Sequence, residues 1–415
     1  MKLDFGIGKR TESVVVDDND LLGILLPNEV EIELAGEDAV KAALSAPIGR
    51  QRLSDMQLNG KKIAIVTSDI TRPMPTARVM PLLLDELYAG GAQKENITLV
   101  FALGSHRKHT EEEKKYLAGD RAYSEVACVD SNTDDCVHFG VTSRGTPVDI
   151  DKAVAKADIR ICLGNIEYHY FAGYSGGAKA IMPGVSTRAA IQSNHKFMVR
   201  LEACAGRITG NPVREDIEEA ASMVGVDFIL NVVLDPKKQI IFAVAGDVTK
   251  AHRKGCEFLD SLYLKKIPQK AEIVIASQGG APKDINLYQT QKALDNAKHA
   301  VKDGGVVILV GSCKEGLGEK TFEEWMTSAK CPNDLIDRIE QEFKLGGHKA
   351  AAIAMVMQYA DIYLVSDMEH DKVKSIFMTP FDTLEEAYAA AKERCGENAK
   401  VWAMPFAGSV LPKLT

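Results

Sequence analysis

The stretch KIAIVTSDITRPMPTARVMPLLLDELYAG, residues 62–90, decides the fold class. Its apolar, β-branched beginning, Lys62–Thr67, predicts a buried strand, and a polar turn then leads into a helix that ends near Ala89. The same order of strand, turn and helix recurs, with further strands predicted at Ile97–Leu103 and Ile159–Leu163. We therefore expect an α/β protein with mostly parallel sheets, in which ligands bind at the carboxyl ends of the strands.

A second series of strands and helices begins after a polar, proline-containing stretch at 265–272. We expect two α/β domains, an N-terminal domain over residues 1–268 and a C-terminal domain over residues 269–415. Because each polar motif follows a predicted strand, the motifs could all face one active-site cleft between the domains. Short strands are also expected near the N-terminus, at Glu12–Val16 and Glu29–Leu34.

The composition excludes several classes of protein. With 46% hydrophobic and 26% charged residues, the 415-residue chain is average for a globular protein. No apolar run approaches the roughly 18 residues of a membrane span, and MKLDFGIGKR lacks the apolar region of a signal peptide. A net charge of −8 argues against nonspecific nucleic-acid binding. Eight cysteines without CxxC spacing indicate reduced thiols, so we expect a soluble cytoplasmic protein with no nucleic-acid or membrane partner.

The loop Asp69-Ile70-Thr71-Arg72-Pro73 lies between a predicted strand and a helix. Arg72 could hold a carboxylate or phosphate through two hydrogen bonds, while Thr71 and the loop amides bind an anion. Alternatively, Asp69 and Thr71 only cap the helix and Pro73 starts it. The residues by themselves leave both interpretations open.

Two histidines, His106 and His109, flank Arg107 and Lys108 in the loop after the second strand. A histidine can exchange protons near neutral pH, so a loop histidine at a strand end is a candidate general base. The alternative is a solvated surface loop without a chemical role.

The densest signal lies between Gly164 and Ser186. Four aromatic residues surround His169, and five glycines allow the backbone to approach a ligand closely. Lys179 has apolar neighbours, so its pKa could be lowered and its amine could act as a nucleophile or an amide-forming anchor. The lysine is followed by alanine, which excludes a Walker A loop. Aromatic packing around a glycine-rich crossover is the structural alternative.

His195 lies in a predicted helix, and the chain has no HExxH motif or Cys/His cluster around it. If His195 binds a metal, donors from outside the chain must supply the remaining ligands.

In the second domain, Tyr288 and Lys292 share one helical face, and with Gln289 they could close over a small anionic substrate. An ordinary amphipathic helix start would look the same.

Together these segments resemble the nickel-dependent lactate racemase family, whose members racemise or epimerise 2-hydroxy acids with a nickel-pincer cofactor. The resemblance covers nearly the whole chain and rests on five segments in the family's order: DxTRP at 69–73, GSHR at 104–107, HYFAGYSGGAKAIMPG at 169–184, His195, and YQxQK at 288–292. It implies a racemase for lactate or a lactate-like 2-hydroxy acid.

The resemblance also implies a cofactor, the nickel-pincer nucleotide. This group is a pyridinium mononucleotide with two sulfur substituents, in which one carbon and two sulfurs bind nickel. Lys179 would be joined to it through a thioamide, and His195 would be the nickel ligand from the protein. The N-terminal domain would bind the cofactor with the loop residues Asp69, Ile70, Thr71 and Arg72, and separate biosynthesis proteins would deliver it transiently.

For the reaction, the resemblance implies that His106 and His169 are the two acid–base residues. Removing the C2 hydrogen as a hydride avoids building a second negative charge beside the carboxylate, which would be costly at low dielectric. The substrate would be bound by four residues, three of them from the C-terminal domain: Arg72, Tyr288, Gln289 and Lys292.

Alternatives remain open at this point. The motifs address only the carboxylate and hydroxyl groups, so malate, a longer 2-hydroxy acid or a sugar acid would fit as well as lactate. A different enzyme would use Lys179 for a Schiff base with a carbonyl substrate or pyridoxal phosphate, and a non-enzymatic protein would only bind a small anion. The motifs carry no information on the oligomeric state.

Overall fold

The computed structural model describes residues 1–415 and divides the chain into two compact units. The central unit is Val30–Asp260, and the terminal unit combines Met1–Glu29 with Ser261–Thr415. The strands are β1 Lys2–Ile7, β2 Arg10–Val15, β3 Leu21–Ile24, β4 Ile63–Ser68, β5 Ile97–Ala102, β6 Ala127–Asp130, β7 Cys136–Val141, β8 Pro147–Asp151, β9 Ile159–Asn165, β10 Tyr168–His169, β11 Gly173–Tyr174, β12 Phe228–Leu234, β13 Ile240–Gly246, β14 Leu264–Ile267, β15 Ala271–Ser277, β16 Val301–Val310, β17 Ala360–Val365, β18 Thr379–Phe381, β19 Val401–Met404 and β20 Leu411–Leu414.

The helices are α1 Gly36–Ser45, α2 Thr76–Ala89, α3 Glu111–Ala118, α4 Asp120–Glu125, α5 Lys152–Ala155, α6 Arg188–His195, α7 Pro212–Val224, α8 Lys250–Tyr263, α9 Leu287–Ala297, α10 Lys320–Ser328, α11 Pro332–Gln341, α12 Gly347–Met357, α13 His370–Ser375 and α14 Leu384–Cys395. No helix is both long enough and apolar enough to cross a lipid bilayer.

The central unit is built on a six-stranded sheet in the order β13-β12-β9-β4-β5-β6. All neighbours pair in parallel except β12 and β13, which are antiparallel. The first four residues of β4 are completely buried, as expected for a central parallel strand that is covered on both faces. Helix α2 packs five large apolar side chains into the core beside this sheet: Val79, Met80, Leu83, Leu84 and Leu87.

The terminal unit contains a second six-stranded sheet, in the order β18-β17-β16-β15-β19-β3, and every pair in it is parallel. The predicted α/β class with mostly parallel sheets is therefore confirmed. The three strands predicted around residues 62–67, 97–103 and 159–163 are present as β4, β5 and β9.

The structure places the first 29 residues differently from the predicted 1–268 domain. Strand β3 forms the edge of the second sheet beside β19, and the side chains of Leu3, Phe5 and Ile7 pack into the core of the terminal unit. The expected strand at Glu29–Leu34 is absent, because this segment finds no partner strand where the chain passes from one unit to the other.

Candidate active site

Polar motifs of the central unit lie at the carboxyl ends of three neighbouring strands. Asp69 follows β4, the loop with His106 follows β5, and the hairpin of β10 and β11 follows β9. Strands β5 and β6 extend the sheet on one side of β4, whereas β9 lies on the other side. Such a reversal of strand order opens a crevice at the carboxyl ends of the two central strands, where doubly wound sheets bind ligands.

The loop after β4 orients His106. The Nδ1 atom of His106 lies 2.8 Å from Oδ2 of Asp69, and the Thr71 hydroxyl donates to Oδ1 of the same carboxylate at 2.9 Å. Burial would raise the pKa of Asp69, but the hydrogen bonds from His106 and Thr71 and the charge of Arg72 outweigh burial, so this pKa is lowered. An ionised carboxylate can only accept, so Nδ1 of His106 carries a hydrogen and the lone pair of the uncharged ring lies on Nε2.

His109, from the same loop as His106, supports the backbone next to Asp69. The Ile70 amide donates to Nε2 of His109 at 3.1 Å, so Nδ1 carries the hydrogen and donates to Oδ1 of Asp130 at 2.6 Å. The side chain of His109 is 1% exposed, and both of its nitrogen atoms are engaged within the protein. His109 therefore ties the loop after β4 to the end of β6 and has no nitrogen left for a substrate.

A short hairpin presents His169. Its strands pair Tyr168 with Tyr174 and His169 with Gly173. The Asp260 carboxylate accepts hydrogen bonds from the hydroxyl groups of both tyrosines, each at 2.8 Å from Oδ1, which anchors the two sides of the hairpin at one point. Gly173 has a φ of +76°, and a Cβ there would lie 2.1 Å from a backbone carbonyl oxygen, so this turn requires glycine.

The ring of His169 is held as a hydrogen-bond donor. The Ala172 amide donates to Nδ1 of His169 at 3.2 Å, which leaves the hydrogen of the neutral ring on Nε2. Burial lowers the pKa of His169 well below its ordinary value, and the charge of Arg72 acts in the same direction. The two histidines therefore differ at Nε2. The neutral ring of His106 presents a lone pair there, whereas the neutral ring of His169 presents an N–H group.

Lys179 lies in a 3-10 turn, Gly177–Ala180, that follows the hairpin. Burial lowers the pKa of its amine well below the ordinary value, and the charges of Arg214 and Arg72 act in the same direction. The turn is packed tightly, because a Cβ on Gly177 would lie 2.8 Å from the ring of His252. A lowered pKa increases the share of the amine that is uncharged, and the uncharged amine is the nucleophilic form.

The ring of Phe171 brings three of the predicted site residues together. Its centroid lies 4.5 Å from that of His169, 5.0 Å from that of His195 and 5.9 Å from Nζ of Lys179. Arg72 acts electrostatically on both His169 and Lys179, which links this group to the loop that holds His106. We call His169, Phe171, Lys179 and His195 the Phe171 cluster.

His195 is the last residue of α6 and is 6% exposed. Its Nδ1 atom lies 2.9 Å from Oδ1 of Asn194. No group of three or more His, Cys, Asp or Glu side chains in the chain is placed to hold a metal ion, so His195 is not part of an all-protein metal site.

The remaining predicted residues, Tyr288, Gln289 and Lys292, lie in the terminal unit at the start of α9. Asn286 caps this helix by accepting a hydrogen bond from the Gln289 amide at 3.1 Å. These three residues belong to the unit that does not contain the Phe171 cluster.

Sequence reasoning missed Lys349, which packs against Tyr288 in the first turn of α12. Its amine donates to the carbonyl oxygen of Tyr288 at 2.6 Å and lies 3.7 Å from the centroid of the Tyr288 ring. Burial, reinforced by the charge of Lys292, lowers the pKa of Lys349 to about 7. The signal in the sequence is a lone lysine in front of the apolar run AAAIAMVM, a helix that is otherwise almost entirely buried.

Nearly the whole chain is similar to known lactate racemases. The family described as "Lactate racemase N-terminal domain" matches residues 7–206, and the family described as "Lactate racemase C-terminal domain" matches residues 266–411. The chain is 34% identical over 421 residues to the lactate racemase of Thermoanaerobacterium thermosaccharolyticum, an alignment that covers 99% of this chain and 98% of the relative. It is 32% identical over 425 residues to the lactate racemase of Lactiplantibacillus plantarum, with 99% of both chains covered.

Solved structures agree with the sequence comparisons. The lactate racemase apoprotein from T. thermosaccharolyticum superposes with a TM-score of 0.87 at 34% identity, covering all of both chains. A Thermotoga maritima protein shares the fold alone, with a TM-score of 0.60 at 18% identity over 91% of this chain and 97% of that protein.

Proposed function

The chain belongs to the lactate racemase family, and we propose that it interconverts the two enantiomers of lactate or a closely related 2-hydroxy acid. The observation that carries the proposal is the Phe171 cluster, which combines a buried lysine amine with a lowered pKa, a histidine N–H donor and a further buried histidine. We also propose that the enzyme works in the cytoplasm, since all eight cysteines are free thiols.

The residues of the cluster suit a nickel-pincer nucleotide as the cofactor. Lys179 has the lowered pKa that an amine needs to form a thioamide, because a protonated amine has no lone pair to bond with. His195 would supply a ring nitrogen to nickel, a metal that imidazole ligands suit. When bound, the cofactor would take the C2 hydrogen of the substrate as a hydride and return it. The loop residues Asp69, Ile70, Thr71 and Arg72 would contact the nucleotide, and biosynthesis proteins would deliver it transiently.

Proton transfer follows from the orientation of the two histidines. Nε2 of His106 would take the hydroxyl proton, and the Asp69 carboxylate at 2.8 Å would stabilise the imidazolium that forms. To return a proton from Nε2 to the oxygen of the planar 2-oxo acid, His169 must first be the imidazolium, because a neutral ring that gave up this hydrogen would become an imidazolate. To accept a proton at Nε2 in the opposite direction, His169 must carry a hydrogen on Nδ1 and lose the bond from the Ala172 amide. Two acid–base groups are needed because the hydroxyl groups of the two enantiomers lie on different sides.

Substrate binding is assigned to positively charged and polar side chains. Arg72 and Lys292 would hold the carboxylate while the planar oxo acid turns over, and Tyr288 and Gln289 would line the site. Arg72 is suited to this role because a planar guanidinium can bind both oxygens of a carboxylate at once.

The experiment that tests the function measures three quantities on protein co-produced with the cofactor-making enzymes. We expect a mass increment of mononucleotide size on Lys179, about one nickel per chain, and racemisation of L-lactate or D-lactate. Lys179→Ala should lose the mass increment, whereas His195→Ala should keep it and lose nickel. His106→Ala and His169→Ala should retain the cofactor and stop turnover.

Three outcomes would overturn the proposal or change it. A chain that takes up neither adduct nor nickel, under conditions that load the T. thermosaccharolyticum relative, cannot work in this way. Turnover of malate, a longer 2-hydroxy acid or a sugar acid without turnover of lactate would keep the chemistry and change the substrate. The lowered pKa of Lys179 would also suit a Schiff base with a carbonyl compound, and an adduct trapped by borohydride would contradict the thioamide.

A further inference from the structure

The side-chain amide of Asn194 is held in one orientation by groups that can only accept hydrogen bonds. Its Nδ2 donates to the backbone carbonyl of Val213 at 3.1 Å and to Oδ2 of Asp216 at 2.7 Å. A carbonyl oxygen has no hydrogen to donate, so the NH2 group must face Val213. The Oδ1 atom of Asn194 must then face Nδ1 of His195, at 2.9 Å.

This orientation determines which nitrogen of His195 carries the hydrogen. Oδ1 of an amide can only accept, so Nδ1 of His195 must donate and the lone pair of the neutral ring lies on Nε2. A histidine binds a metal through the nitrogen that carries the lone pair. The hydrogen-bond partner of the other ring nitrogen determines which nitrogen that is.

Asp216 completes the arrangement from α7. The residue is 0% exposed, and its carboxylate accepts from the hydroxyl groups of Thr142 at 2.5 Å and Thr146 at 2.7 Å in addition to Asn194. The backbone amide of Thr146 donates to the Thr142 hydroxyl at 3.0 Å, so that hydroxyl must direct its own hydrogen to Asp216. The Asp216 carboxylate is therefore the acceptor in all three contacts. Burying a charged carboxylate costs free energy unless hydrogen-bond donors are held in place around it.

We propose that Asp216 and Asn194 are positioning residues that hold His195 as the Nδ1–H tautomer and so direct Nε2 to nickel. The inference rests on the proposed function for its metal, but the orientation of the ring is a property of the protein without cofactor. A purely structural role, in which Asp216 and Asn194 only join α6 to α7, would leave the tautomer of His195 unaffected.

Nitrogen-15 NMR of the full-length protein labelled at histidine tests the tautomer before any cofactor is added. The chain has nine histidines, and the His195 signals are those lost in His195→Gln. We expect the Nδ1–H tautomer in the wild type and in Asp216→Asn, which retains an oxygen acceptor for Asn194, whereas Asp216→Leu removes that acceptor and should increase the Nε2–H form. Asn194→Leu should shift the ring toward Nε2–H, and Thr146→Val serves as the control that removes a different donor from the same carboxylate.

Nickel retention gives the second measurement. After loading, Asn194→Leu should lose nickel at least 10-fold faster than the wild type and Thr146→Val, since partners of a metal-bound histidine typically contribute 10–100-fold to affinity. The proposal is overturned by an Nε2–H tautomer in the wild type, which needs no variant to fold, or by equal nickel retention in a folded Asn194→Leu. If the Nδ1–H tautomer is observed but the wild type never binds nickel, the proposed function fails and the metal role of His195 fails with it.

Discussion

Replacing Lys349 by methionine should make the terminal unit more stable near neutral pH. The wild-type amine is buried against Tyr288, where its only described hydrogen-bond acceptor is a neutral carbonyl oxygen, and the charge of Lys292 opposes its protonation. Methionine has a similar length and no charge, so it removes the cost of burying the ammonium group.

The expected gain follows from the lowered pKa. Burial together with Lys292 moves the pKa of Lys349 from 10.5 to about 7, and each unit corresponds to about 1.36 kcal/mol. Holding the ammonium in the folded chain therefore costs about 5 kcal/mol. The variant loses one hydrogen bond to the Tyr288 carbonyl and the cation–π contact with the Tyr288 ring, each worth about 1 kcal/mol. At pH 6 the free energy of unfolding of Lys349→Met should exceed that of the wild type by about 3 kcal/mol.

The gain should depend on pH with a definite sign. Below pH 7 the lysine is charged in both the folded and the unfolded chain, so the full cost is present. Between pH 7 and 10.5 the unfolded chain binds the proton and the folded chain does not, so the stability of the wild type rises with pH. The advantage of the variant should therefore shrink above pH 7 and vanish as pH 10.5 is approached.

Guanidinium unfolding at pH 6, 7.5 and 9 measures this difference. Both tryptophans, Trp325 and Trp402, lie in the terminal unit, so their fluorescence reports on the unit that contains Lys349. Lys320→Met is the matched control, because that side chain is 89% exposed and its replacement should change stability by no more than about 0.5 kcal/mol. A Lys349→Met variant that is less stable than the wild type at pH 6 would refute the reasoning. The same would follow if the difference in free energy of unfolding between the two proteins were equal at all three pH values.

Two further predictions concern the central unit. Asp69→Asn should lower the racemisation rate of the loaded enzyme by about 10²- to 10⁴-fold at unchanged nickel content, because a neutral amide cannot stabilise the His106 imidazolium; a normal rate would remove Asp69 from the mechanism. Gly173→Ala should lower the thermal unfolding temperature far more than Gly145→Ala, as seen by circular dichroism. Both positions have positive φ, which costs alanine about 1–2 kcal/mol, but a Cβ at Gly173 would also lie 2.1 Å from the Arg207 carbonyl oxygen, whereas at Gly145 nothing lies within 4 Å. Similar unfolding temperatures for the two variants would contradict this account of the hairpin.

Much of the fold could be predicted because it depends on local pattern. The strands β4, β5 and β9 are short apolar runs followed by polar turns, and their predicted bounds agree with the structure to within two residues. Placing loops such as Asp69–Arg72 at the carboxyl ends of parallel strands follows from the connectivity of such sheets. The capping box of Thr110 and Glu113 that begins α3 is likewise a local feature.

Long-range pairing was not predictable in the same way. Strand β3 pairs with β19, so that Leu21 lies beside Val401, and no local periodicity distinguishes that pairing from a strand within the first domain. The burial of Lys349 and its contact with Tyr288 were not predictable, because both depend on how two helices pack.

The sequence by itself determined the fold class and which side chains are available for chemistry, since both follow from residue type and local order. Only the tertiary structure decided the state of those side chains. Lys179 has a lowered pKa because the folded chain buries it beside two arginines, and His195 presents Nε2 because Asp216 and Val213 orient Asn194. A pKa and a tautomer are differences in interaction energy with the surroundings, and folding supplies those surroundings from residues distant in sequence.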